Sequence, residues 1–343
     1  MNNRIPVLCA LILLYFSSIS SAAEVTAQRD ESSHDETPPQ SADTFPRGAS
    51  TVKDKLVSKM MAGVSQGYDS NANLGSPRKD DFFLQETADM HFSYPLEAIQ
   101  TDWKFGFNLA NVSYYEYTDA DMLDMIADSK FEYRLLDSLL LIAGYQGEFM
   151  VYPNDENGSF FKNEVSAGLR HTIARNASQT ARYAFSLKEY THRKILYGNL
   201  TRGSDLRLDA RHDVIHELSV RLIDRLKVTL VNQYSINDSN DQYFDFYDFW
   251  MYKSRASLVV MLVKRLYVIG SFSYFHKEYT DRPTSDRGVD QKDNLYVVSS
   301  TLLWDLTASL SLFCNYSYKE NDSNEPLDQF SGNMMSAGLY YSF

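Results

Sequence analysis

The stretch Gly332-Asn333-Met334-Met335-Ser336-Ala337-Gly338-Leu339-Tyr340-Tyr341-Ser342-Phe343 decides how the chain is read. Met335, Ala337, Leu339, Tyr341 and Phe343 share one parity, while Gly332, Ser336, Gly338 and Ser342 share the other. Side chains of a strand alternate between its two faces, so this is a β-strand with one apolar face and one small, polar face. A soluble edge strand has the same pattern, and the rest of the sequence must separate the two cases.

The same two-faced alternation recurs along the chain. Trp103, Phe105, Phe107 and Leu109 alternate with Lys104, Gly106, Asn108 and Ala110. Leu206, Leu208, Ala210, Val214, Leu218, Val220 and Leu222 alternate with Arg207, Asp209, Arg211, Asp213, Glu217, Ser219 and Arg221. Near the end, Leu310, Leu312, Cys314, Tyr316 and Tyr318 alternate with Ser309, Ser311, Asn315, Ser317 and Lys319. A charged face backing an apolar one does not fit a sandwich core. It fits a closed barrel with an apolar exterior and a wet lumen.

About fourteen such segments are separated by connections of alternating length. Long ones fall near 69–81, 118–121, 153–159, 191–204, 237–245, 280–293 and 320–329, short ones near 95–100, 136–138, 174–177, 223–225, 263–265 and 305–307. The fold class expected is therefore all-β: a transmembrane antiparallel barrel of about 14 strands with both termini periplasmic, on the side of the short turns. The eighth segment exceeds the roughly ten residues of a spanning strand, so some strands should project. Glu86, Asn163, His171 and Glu189 fall on the outward parity, where local bulges or positions beyond the apolar band would accommodate them. Tyr94, Trp103, Trp250, Tyr279 and Trp304 lie near segment ends and read as an interfacial girdle.

Arg4 precedes an apolar run from Ile5 to Phe16 and small residues at Ser20-Ser21-Ala22-Ala23, so residues 1–23 read as a signal peptide. Cys9 lies too early for a lipoprotein cleavage site. Once the leader is removed Cys314 is alone, and no disulfide framework is available. Residues 24–52 hold Ser, Thr, Pro, Asp and Glu with few large apolar groups and read as a disordered periplasmic segment; residues 53–343 form the barrel. The barrel is rich in aromatics, the whole chain having 24 Tyr and 20 Phe. A net charge of −12 argues against nucleic acid as a partner. Mean hydropathy is slightly negative, as a barrel allows because only alternate residues meet lipid.

Two local features resemble known barrels. The terminal Leu339, Tyr341 and Phe343 are similar to the C-terminal insertion signal of Gram-negative outer-membrane β-barrels. Ala62-Gly63-Val64-Ser65-Gln66-Gly67-Tyr68-Asp69-Ser70-Asn71-Ala72-Asn73-Leu74 resembles the opening of the β-barrel porin-2 type, which includes barrels of exopolysaccharide loci. The likeness covers about fifteen residues plus the last strand. It implies an outer-membrane channel or a secretion-associated barrel, and it carries over no catalytic residue. The helical-repeat periplasmic domain of some polysaccharide-export barrels has no counterpart here.

Inward parity places acids and bases on different strands. Asp124, Asp128, Glu132 and Glu148 form an expected acidic lumen wall; Arg182, Lys188, Arg207, Arg211, Lys253 and Arg255 form an expected basic one. A transverse field between them would orient polar solutes, unless the charges simply pair with their neighbours. Asp-Ser-Asn recurs at 69–71, 238–240 and 322–324, each at an expected outer loop, where Asp and Asn favour turns. Asp69, Asn71, Asn73 and Asp80 have calcium-loop spacing, but Leu74 stands where that loop needs Gly. His91, His171, His192, His212, His216 and His276 fall in no metal-spaced helix motif. The chain is thus expected to be a porin-like outer-membrane channel for small polar or saccharide-like solutes, with no enzymatic activity, cofactor or metal. Its expected partners are outer-membrane lipid and lipopolysaccharide, the barrel-assembly machinery and the solutes, with oligomeric state left open. The alternatives are a closed structural, assembly or polysaccharide-secretion-associated barrel, and an enzyme acting on lipid or peptide.

Overall fold

A computed structural model describes residues 56–73, 78–96, 101–196, 202–241, 246–286 and 288–343. The expected signal peptide and the 24–52 segment lie outside the described residues. Fourteen strands make one closed antiparallel ring in chain order. They are β1 (Val57–Asp69), β2 (Asp81–Leu96), β3 (Thr101–Tyr114), β4 (Met122–Leu136), β5 (Leu139–Val151), β6 (Phe160–Ala174), β7 (Ala177–Leu196), β8 (Arg202–Ile223), β9 (Leu226–Ser239), β10 (Phe249–Val263), β11 (Leu266–Pro283), β12 (Asp290–Asp305), β13 (Leu310–Ser323) and β14 (Phe330–Ser342).

Closure joins the first strand to the last. β14 pairs with β1 from Met61↔Ser342 to Asp69↔Met334, and the Phe343 amide still donates to the Met60 carbonyl at 2.9 Å. Gly338 permits this seam, since a Cβ there would stand 2.2 Å from the Val64 carbonyl oxygen. Leu339, Tyr341 and Phe343 all point outward and are exposed, with the last two rings edge to face at 4.9 Å.

The start of β1, the end of β14 and the short connections lie at one rim, and the long connections lie at the other. Four short connections are two-residue turns, Asp137-Ser138, Arg175-Asn176, Asp224-Arg225 and Lys264-Arg265, each with a register shift in the strand leading into it. Arg265 takes the left-handed conformation at φ 70°. The 191–204 segment, expected as a loop, is mostly strand: β7 runs for 20 residues and β8 for 22. Register shifts between Glu189, Lys194 and Leu196 keep this extension paired while breaking its alternation.

The exterior is apolar, with Val64, Phe105, Leu169, Val214, Leu258 and Leu302 among its exposed residues. Cys314 is exposed there too. Outward polar groups satisfy one another across strands. Tyr145, Tyr252, Tyr274 and Tyr316 donate to Asn163, Asn232, Asn294 and Asn333 at 2.6–2.9 Å. In all four pairs the Asn stands opposite the residue two positions after the Tyr, the diagonal contact that strand twist favours. Glu86 accepts from Asn111 at 3.2 Å. Trp103 and Trp304 are exposed on this exterior, but Tyr279 points into the barrel and is 5% exposed, which removes it from the expected girdle.

The Asp-Ser-Asn repeats finish strands instead of forming free loops. Asn240 accepts from the Leu208 amide and donates to the Leu206 carbonyl. Asn324 does the same with the Lys292 amide and the Asp290 carbonyl. Each side-chain amide mimics one more peptide unit and extends the ladder beyond the last strand residue. At the first repeat, Asp69 accepts from the Asn71 amide, and Asn71 donates to the Ser331 carbonyl. The proposed calcium-spaced oxygens are engaged locally, with Asn73 accepting from the Lys79 amide and Asp80 from the Tyr68 hydroxyl.

Candidate functional site: the barrel interior

All ten predicted wall residues are on inward-facing positions of β4, β5, β7, β8 and β10. The acids do not stand alone. Glu132 is gripped by Lys104 at 2.9 Å, Lys130 at 2.7 Å and Arg170 at 3.4 Å. Lys162 bridges Glu148 at 3.2 Å and Glu164 at 3.5 Å, and Glu164 in turn holds Arg182 at 3.7 Å. Asp128 occupies the space that Gly106 leaves open. Asp124 is wholly buried.

Charge balance along this wall conceals a difference in depth. The side chains of Lys104, Lys130, Arg170 and Arg182 are 41, 34, 32 and 37% exposed, against 4% for Glu132 and 13% for Glu164. Carboxylates lie against the wall and cations reach over them into the lumen. The groups exposed towards the lumen on this stretch are therefore ammonium and guanidinium groups.

Towards the long-loop rim the expected basic residues belong to a different structure. Arg207 holds Asp209 through two bonds of 2.8 and 2.6 Å, and Arg211 donates to Asp213 at 2.9 Å. Cations and aromatic rings alternate across this end of the barrel. Lys188 lies over Phe160 and Tyr190, and Arg193 and Arg207 lie over Tyr190 and Tyr247. Tyr247 packs on Phe246, Arg282 covers Phe246 and Tyr279, and Lys277 covers Tyr279 and Phe249. Lys253 stands 5.1 Å over Phe275, while Arg255 is buried. A cation over an aromatic face is held by the ring quadrupole, more strongly where water is displaced.

Tyr247, just before β10, closes this array. Tyr247 turns inward, accepts a 2.6 Å bond from Arg193 and lies 3.5 Å beneath the Arg207 guanidinium. Its carbonyl accepts from Asn237, and Asp248 accepts from the Ser239 amide. Two clusters of buried apolar side chains flank it, one containing Phe83, Val112, Met150 and Phe160, the other Phe249, Phe275, Leu295 and Phe330. On the far side Asp328 receives Arg282 at 3.4 Å and Gln291 at 2.6 Å. In this half the lumen is occupied by side chains.

Sequence reasoning missed Tyr190, Arg193, Tyr247, Lys277, Tyr279 and Arg282. Arg193 turns inward only because the register shift after Glu189 reverses the parity. The available signal was the aromatic content of the β9–β10 connection, Tyr243-Phe244 and Phe246-Tyr247 between polar residues.

The short-turn half is lined differently on its two sides. Opposite the exposed cations, Ile269 and Leu303 are buried among Val259, Tyr267, Phe313 and Tyr340. Phe313 and Tyr340 stack at 4.4 Å with an 18° interplanar angle. The Tyr340 ring lies over Gly63, where a Cβ would approach it to 2.5 Å. One string in β1, Gly63-Val64-Ser65-Gln66-Gly67, fits the G-x-S-x-G pattern. It lies in mid-strand with Ser65 facing inward, away from the strand-to-helix turn that pattern serves, and its glycines accommodate Tyr340 and Phe83.

No family model and no curated protein matches the chain. Among solved structures, the outer membrane channel DcaP of Acinetobacter baumannii is 9% identical over 86% of this chain and 99% of its own, with a TM-score of 0.52. The outer membrane protein OmpT of Vibrio cholerae, folded in vitro and in its trimer form, is 9% identical over 84% and 100%, with a TM-score of 0.50. At that identity the likeness concerns the fold: this chain is a closed, all-β, 14-strand antiparallel barrel with outer-membrane barrels as structural neighbours.

Proposed function

We propose that the chain is an outer-membrane, porin-like conduit for small polar or saccharide-like solutes, with a preference for anions. In this reading the apolar exterior meets lipid, the short-turn rim with both termini faces the periplasm, and Leu339, Tyr341 and Phe343 serve the assembly machinery as insertion signal. The carrying observation is that Lys104, Lys130, Arg170 and Arg182 extend into the lumen above buried carboxylates. Fixed cations in a narrow aqueous passage concentrate counter-anions and repel cations. No catalytic step enters this reading.

Reversal potential across a planar bilayer under a KCl gradient tests it. The expected sign is chloride over potassium, and a cation-selective wild type would overturn the anion preference. A purified barrel that never conducts would favour the second reading, a closed structural or assembly barrel, which the occupied long-loop half supports. That occupied half also opposes the secretion of a polymer implied by the porin-2 resemblance.

A further inference from the structure

In the short-turn half of the lumen three cations share one carboxylate, and a fourth cation stands beside them. Lys130 Nζ and Arg170 Nη1 both touch Glu132 Oε1, at 2.7 and 3.4 Å, and Lys104 Nζ touches Oε2 at 2.9 Å. Two of these heads meet at one oxygen atom, so a single small ligand can reach both. Arg134, the next inward residue of β4 after Glu132, is exposed and has no partner among the described residues. It stands opposite Leu140 of β5, which stands opposite Arg170 of β6. Between β4 and β6 the strand β5 turns only Leu140, Ile142 and Gly144 inward at these levels, and none of them is charged. Next to Gly144 is Ser166 of β6, whose hydroxyl oxygen would lie 3.0 Å from a Cβ at Gly144 and has no partner among the described residues. Asp102, on β3 opposite Glu132, lies on the side away from β5. Arg182, opposite Gly168, is turned to Glu164.

We propose that Lys130, Arg134 and Arg170 form a binding site for a phosphate-class dianion, free or at the end of a small solute, seated over β5 with the Ser166 hydroxyl as a neutral donor. The site deepens the anion preference of the proposed channel and rests on that reading only for a wet lumen. An ammonium carries three N–H donors and a guanidinium five, so one shared carboxylate leaves most of them open. Fixed positive charge alone favours any anion. A halide is a single acceptor centre, whereas a tetrahedral oxyanion carries several acceptor oxygens and bridges heads that are already close. The planar guanidinium adds a two-oxygen match that a halide cannot use. Glu132 supplies the spacing: its own side chain is 4% exposed, and it holds Lys130 and Arg170 together from the wall side. Arg134 has no such anchor, which leaves its whole fork for a ligand.

Isothermal titration of the full-length, detergent-solubilised barrel tests the site, with sodium phosphate at about pH 8, where the ion is doubly charged, against sodium chloride. Phosphate is expected to bind at least about tenfold more tightly than chloride. Arg134→Gln changes an exposed, partnerless side chain, and Arg170→Gln one of the three heads on Glu132; each should weaken phosphate by about tenfold and chloride by less than about threefold. Lys188→Gln removes an equal charge roughly 25 Å further along β7 than Thr180, the residue paired with Arg170. At an ionic strength of about 0.1 M that is well beyond the Debye length, so phosphate should stay within about twofold of wild type. Glycerol phosphate separates the two sources: binding within about threefold of inorganic phosphate assigns the site to the ester group as well, and absence of binding assigns it to the free ion. Phosphate and chloride binding equally, both Arg variants binding phosphate like wild type, or Lys188→Gln weakening phosphate as much as they do would each overturn the proposal. Phosphate binding in a barrel that is cation-selective or never conducts would remove the channel reading and leave this site standing; anion-selective conduction without phosphate binding would do the reverse.

Discussion

Replacing Tyr247 tests whether the β9–β10 connection is what closes the long-loop end. Its hydroxyl accepts a 2.6 Å bond from the Arg193 guanidinium, its ring lies 3.5 Å from Arg207 and 4.7 Å from Arg193, and the residue is 8% exposed. A hydrogen bond to a charged partner contributes about 1.5–3 kcal/mol. A desolvated cation–π contact adds roughly 0.5–2 kcal/mol. Tyr247→Ala removes all of these and should weaken docking of the connection by about 3–5 kcal/mol. Each 1.4 kcal/mol is about tenfold, so the undocked population should rise by about two to three and a half orders of magnitude. Arg207 keeps its two bonds to Asp209, so the barrel wall should not be disturbed. Tyr247→Phe keeps the ring and loses only the Arg193 bond, and it should fall between. Single-channel recording is the assay: mean conductance or open-state noise should increase in the order Tyr, Phe, Ala. An Ala variant with the strand content and the conductance trace of wild type would show that the connection does not limit the passage.

Glu132→Gln removes the buried anchor of three cations; allowing for solvent screening of cations that are about a third exposed, guanidinium unfolding should report a loss of about 1–3 kcal/mol. The same variant should shift the reversal potential further towards anions, and an unchanged potential would contradict the depth argument. Asn324→Ala deletes two ladder-extending bonds and should speed amide exchange at Lys292 by about tenfold or more, whereas Asp322→Ala on the exposed side should leave that amide alone. Arg265→Gly relieves a left-handed residue in a two-residue turn and should leave stability unchanged or raise it by about 1 kcal/mol; a clear loss would mean the Arg265 side chain matters more than its backbone. Burial holds the Asp328 carboxyl above its ordinary value, with Arg282 pulling the other way. The folded chain then binds this proton more readily than the unfolded one, so its contribution to stability is greatest at low pH and declines as pH rises from the ordinary carboxylate value through the folded one. The stability difference between wild type and Asp328→Asn should follow that sign, and a pH-independent difference would refute it.

Period-two alternation made the barrel legible because a closed wall leaves each residue only two directions, and β3, β8, β13 and β14 follow it nearly throughout. Alternation fails where a bulge reverses it, as between Glu189 and Lys194, and it is silent about connections that fold back inside, as at Tyr247. It also gives direction without depth. Glu132 and Lys130 both point inward, yet one is nearly covered and the other a third exposed. The cause is side-chain length: Lys and Arg carry their charge on a longer, flexible stem than Glu or Asp, and such stems lie along a surface while the head reaches water. On a concave wall with inward acids and bases two residues apart or on adjacent strands, the shorter carboxylate becomes the floor and the longer cation the lining. Lys130 beside Glu132 on β4, and Lys104 on the adjacent β3, satisfy that condition in the sequence itself, once the barrel is known to close. The acidic residues predicted to define this wall are therefore what holds the positive charge exposed towards the lumen.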